Sequence, residues 1–158
     1  MKKLVITLTI LFLVTGCAGI DYREMSDKVK TADWTKMQTI TVSLVEHAFI
    51  PNILSLKVDT PYKLILKNDG NEKHYFVSEE FFKAIALRKV QSSDGEIKAT
   101  YLTALEVYPK RALEVYFIPV KDGTYEFVCT IEGHMEKGMR GKITIENKKA
   151  EPGQIRYY

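Results

Sequence analysis

The chain has 158 residues, enough for one compact domain with extensions and too few to expect a second. Its formal charge of +3 includes Lys2 and Lys3; without that pair, 21 basic residues face 20 acidic ones. A nearly neutral body, whose aromatics sit in apolar alternation instead of among arginines, offers no nucleic-acid surface.

Residues 1–16 read as an address. Met1-Lys2-Lys3 is positively charged, and Leu4 to Val14 is a run of 11 apolar residues and threonines. A bilayer core needs roughly 20 such residues, so the run fits the apolar region of a secretory signal. It ends in "VTGC", Val14 to Cys17, which resembles the lipobox of a bacterial lipoprotein. The resemblance implies lipidation of Cys17 and a mature protein held on a membrane outside the cytoplasm, periplasm-facing. Cys129 is then the only free thiol, and a lone thiol in an oxidising compartment is protected by a metal.

Residues 17–38 are the lipidated cysteine and a polar tether, with Trp34 marking where packing begins. Twenty flexible residues reach about 25 Å, enough for the domain to reorient at a membrane. From Thr39 the pattern becomes period two: Ile40, Val42 and Leu44; Leu54, Leu56 and Val58; Leu64 and Leu66. It returns at Leu113, Val115 and Phe117, at Tyr125, Phe127 and Cys129, and at Ile143 and Ile145. Turn signals "DTP", "NDGN" and "KDG" separate these half-buried strands, which indicates an all-β sandwich or barrel over residues 39–147. Ser78 to Val90 breaks the alternation. An N-cap serine, two early glutamates, Arg88-Lys89 near the end, and Phe82, Ile85 and Lys89 at helical spacing predict a helix over 79–89. It belongs to an insertion covering about 78–110, expected to flank the metal end and help select a partner, within which "ATYLTALEVYP" reads as strand or short helix. Residues 148–158 are a tail.

"YEFVCTIEGHMEKGMRGKITIE" gathers the chemistry. Cys129 ends a strand, His134 follows in the loop, and Met139 follows that, with Gly133, Gly138 and Gly141 allowing the loop to double back. His74, after the "NDGNEK" turn, is placed to add a fourth donor. Soft sulfur and imidazole nitrogen placed close together suggest a metal. Zinc would bind cysteine and histidine, but its structural sites draw on paired cysteines, and thioether suits it poorly. Met135 is the competing thioether, assigned to the surface beside His134, and His47 reads as structural or exposed.

"CTIEGHMEKGMRGKI" resembles the copper loop of cupredoxins, the small blue copper proteins, in the C-x4-H-x4-M spacing of their rusticyanin and sulfocyanin branch. "ITVSLVEHAFIPNILSLKV", "LKNDGNEKHYF" and "GTYEFVC" resemble the strands around it. The resemblance implies a cupredoxin-like Greek-key β-sandwich with a helical insertion between the first histidine and the cysteine. It implies one type 1 copper held by His74, Cys129 and His134, with Met139 as the weak axial ligand. It also implies a contact surface of His134, Met135, Phe49 and Pro51. Many members place a small polar residue after the first histidine; here Tyr75 stands there.

The function this implies is one-electron transfer, Cu(II)/Cu(I), to transient redox protein partners by a monomer on a lipid anchor. The alternative is a lipoprotein for copper storage, delivery or tolerance. An enzyme is disfavoured. A dinuclear copper centre needs a second loop cysteine, and oxidases or nitrite reductases need more than His47, His74 and His134.

Overall fold

Strands with apolar side chains at every second position each present one face to a core, and this chain places them in two facing layers. The computed structural model describes residues 22–147, so the leader, Cys17 and the tail lie outside the described residues. Among the described residues, one sheet has the order β2 (Ala48–Ile50), β1 (Gln38–Val45), β4 (Tyr62–Asn68), β9 (Ala112–Pro119), β6 (Ile85–Ser92) and β7 (Gly95–Ile97). The other has the order β3 (Ile53–Lys57), β11 (Arg140–Glu146), β10 (Gly123–Val128), β5 (His74–Val77) and β8 (Ala104–Val107). The β1–β4 and β3–β11 pairs are parallel and the others antiparallel.

The alternating residues meet between the layers. Val42, Leu44, Leu64 and Leu66 come from one sheet, and Leu54, Leu56, Phe76, Phe127, Ile143 and Ile145 from the other. Phe76 stacks on Phe127 with centroids 4.7 Å apart, and Phe49 meets Phe127 edge-on at 5.0 Å. Such ring pairs favour offset or edge-on contact because of their quadrupoles.

The fold corrects three expectations. The helix predicted over 79–89 stops early: α2 covers Glu79–Lys83, burying Phe81 and Phe82, and Ile85–Ser92 is a strand. Backbone pairing with β9, from Ile85 opposite Pro119 to Gln91 opposite Glu114, outweighs the helical spacing of the side chains. A register shift between Leu87 and Lys89 interrupts the alternation that would have betrayed the strand.

The insertion as a whole was expected to flank the copper end. Instead α2 packs by the start of β10, where Phe81 lies 6.4 Å from the Tyr125 ring and Ala84 accepts from the Val120 N–H. Only β8 reaches the site, placing Val107 opposite His74.

Part of the expected tether is folded. Tyr22–Thr31 forms α1, because Tyr22, Met25 and Val29 share one helical face and line a groove with Leu87 of β6. Lys28 reaches Asp59 at 2.6 Å. Trp34 donates its Nε1–H to the Val29 carbonyl at 2.9 Å and lies under the Arg88 guanidinium.

Candidate metal centre

Two segments supply the site, and each is tied down by its own backbone. Cys129 follows β10, and its N–H donates to the Met139 carbonyl at 3.0 Å. The Met139 N–H donates to the His134 carbonyl at 2.9 Å, and the His134 N–H to the Ile131 carbonyl at 3.0 Å. The three donor residues of this loop are thereby linked through their own main chains. Gly138 makes the reversal possible at a φ of 105°, where a side chain would be strained. Gly141 serves differently: a Cβ there would collide with the Phe127 ring and the Asn52 carbonyl.

His74 opens β5, after a loop organised by Asn68. The buried Asn68 amide donates to the carbonyls of Glu72 at 2.7 Å and Val107 at 2.8 Å, while its oxygen accepts from the Gly70 N–H at 2.9 Å. Glu46 accepts the N–H groups of Asn71 and Glu72 from the other side. Neither residue carries a metal-site motif, and the sequence reading missed both; the "NDGN" turn was the only signal at Asn68.

The structure brings three predicted donors together. The ligand atoms of His74, Cys129 and His134 all lie within 4.8 Å of one another, and Met139, from the same loop, is fully buried. Sγ of Cys129 is 3.6 Å from Nδ1 of His134 and accepts from the Tyr75 N–H at 3.5 Å.

Whether these residues fit a metal is decided by His74. Both of its ring nitrogens are buried without a hydrogen-bond partner. Sealed polar atoms of that kind are costly unless something else satisfies them, and a metal ion does so. Burial, and then the neighbouring His134, push the His74 pKa down, which keeps the ring neutral and its lone pair available.

The expected contact surface is only partly exposed. Met135 is 36% accessible and Pro51 is exposed, whereas His134 retains 4%. Phe49 does not belong there: at 3% exposure it is a core ring wedged against Phe76 and Phe127. Alternation explains it, since Leu44, opposite Phe49 across the β1–β2 ladder, also points inward. His47 is not among the donors, but its ring stands edge-on to His134 at 4.8 Å.

Over residues 5–145 the chain matches the family described as Cupredoxin-like domain. It is a cupredoxin. Among solved structures it resembles auracyanin B, at 21% identity and a TM-score of 0.50, over 73% of this chain and 93% of that one. It also resembles multicopper oxidases from Pediococcus acidilactici and Pseudomonas thermotolerans, at 15% and 18% identity, each with a TM-score of 0.57. Those matches cover 81% and 72% of this chain but only 29% and 31% of the oxidases. At these identities the likeness is one of fold. No curated protein matches the sequence.

In this cupredoxin the His74, Cys129, His134 and Met139 cluster is consistent with one type 1 copper. A soft thiolate with two imidazoles and a thioether suits both oxidation states of copper, while zinc prefers a harder or thiolate-rich fourth ligand.

Proposed function

We propose that this cupredoxin is a one-electron carrier working outside the cytoplasm. The observation that carries the reading is a donor set supplied wholly by protein and almost wholly buried: His74, Cys129 and Met139 at 0% exposure and His134 at 4%. Copper held there would supply the Cu(II)/Cu(I) couple. The chain's residues do the rest. The packed loop excludes water, and the backbone bonds linking Cys129, His134 and Met139 hold the donors in place between oxidation states. With four protein donors no position is left for a substrate, so we read the protein as a carrier and not an enzyme.

Partners are transient redox proteins, met at the rim where Met135 and Pro51 are exposed, and the carrier acts as a monomer. The "VTGC" sequence supports a lipid anchor on Cys17. The described chain enters the sandwich at Gln38, paired with Tyr62, at the opposite end of β4 from Asn68 and the His74 loop.

The exposed Met135 thioether beside His134 favours a second reading, copper storage or delivery. Two measurements on the loaded protein separate them: electron self-exchange by NMR line broadening, and copper retention against a Cu(I) chelator. A carrier exchanges electrons fast and keeps its metal. Slow exchange with ready loss of copper would establish the second reading instead.

A further inference from the structure

His134 has two ring nitrogens with different surroundings. Nδ1 faces the site, 3.6 Å from Sγ of Cys129, and Nε2 turns outward to Oε2 of Glu72 at 3.3 Å. With a metal at Nδ1, the proton must sit on Nε2, so the outer contact is an N–H facing a carboxylate. Glu72 is held there from both sides. Its N–H donates to Glu46 Oε1 at 3.3 Å, and its carbonyl accepts from the buried amide of Asn68 at 2.7 Å. His47, placed by a left-handed backbone at φ 68°, stands edge-on against the same ring. His47 lies in the turn between β1 and β2, and from there it walls the ring that Glu72 orients.

We propose that Glu72 is a positioning residue of the copper centre. Acting through His134, it selects the tautomer that leaves Nδ1 free for the metal, and its charge favours the oxidised ion over the reduced one. The inference rests on the copper reading above. A carboxylate behind a ligating imidazole raises the basicity of the ligand, and loss of such a partner commonly lowers metal affinity 10–100-fold. The Glu72 side chain is 61% exposed, so the pair adds little to folding and its removal leaves the sandwich standing.

The test compares Glu72→Gln and Glu72→Ala with Glu136→Gln, which removes the same charge from an exposed position of the ligand loop. In the metal-free proteins, imidazole nitrogen NMR reads the His134 tautomer: wild type should hold the proton on Nε2 and Glu72→Ala should show a mixture. In the copper-loaded proteins, both Glu72 variants should lose about tenfold in Cu(II) affinity relative to Cu(I), which raises a one-electron potential by about 59 mV. Glu136→Gln should leave the potential close to wild type. Glu72 variants with wild-type tautomer and potential would overturn the proposal, and so would an equal shift in Glu136→Gln. The NMR arm needs no metal. A wild type lacking a thiolate–copper band therefore defeats the copper reading, whereas a normal band with identical potentials defeats this one.

Discussion

The backbone N–H of Tyr75 points at Sγ of Cys129 across 3.5 Å, joining the strand that carries the first histidine to the loop that carries the other donors. A main-chain donor needs no particular side chain, so a tyrosine is tolerated where small polar residues are common. The Tyr75 hydroxyl is occupied elsewhere, donating to Glu106 at 3.0 Å. Tyr75→Phe should leave the copper absorption spectrum unchanged and cost about 1 kcal/mol or less in the metal-free protein, measured by urea unfolding. A displaced absorption band would mean that the side chain, not the backbone, sets the cysteine's environment.

Asn68 does most to organise the His74 loop, with all three of its side-chain bonds directed to main chain. Asn68→Ala would take a donor from the buried Val107 carbonyl and the half-buried Glu72 carbonyl, while the Gly70 N–H keeps the Leu44 carbonyl. A loss of about 2–3 kcal/mol is expected in chemical denaturation, together with weaker copper retention. A variant as stable as wild type would show that water replaces the amide without cost.

Gly141 lies two residues after Met139 and has no room for a Cβ against Phe127 and the Asn52 carbonyl. Because one obstacle is backbone, Gly141→Ala should destabilise on the order of 1–3 kcal/mol and disturb the exit of the ligand loop. Denaturation and copper binding of the same variant check both effects. An unchanged unfolding midpoint would contradict the packing seen here.

The backbone N–H of Asn71, followed by that of Glu46 itself, holds the Glu46 carboxyl below its ordinary value of 4.5. A group depressed in the folded state contributes stability above its unfolded value and loses it as pH falls through the folded one. The metal-free wild type should therefore lose stability below pH 4.5 more steeply than Glu46→Gln, read from urea midpoints across a pH series. Parallel acid limbs would remove Glu46 as the clasp of that loop.

The donors were legible in the sequence because Cys129, His134 and Met139 fall in one loop and His74 follows a turn. The alternating core strands were legible for the same local reason. What was illegible depended on contacts distant in sequence. Ile85–Ser92 carries helix-like spacing, yet β9 draws it into a sheet, and a register shift hides its alternation. Tyr22, Met25 and Val29 had helical spacing all along, but a polar segment forms a helix only when β6 offers it a surface. Phe49 belongs to a three-residue strand, too short for alternation to show which face is buried. Asn68 and Glu46 shape the His74 loop through side-chain bonds to main chain and leave no spaced motif.

A thiolate-bound copper at Cys129 is tested most directly by Cu(II) titration of the metal-free protein with visible absorption and EPR, beside Cys129→Ser. The wild type should show an intense thiolate-to-copper band with narrow copper hyperfine splitting, both absent from the serine variant. A pale, normally split Cu(II) signal that survives in Cys129→Ser would contradict it.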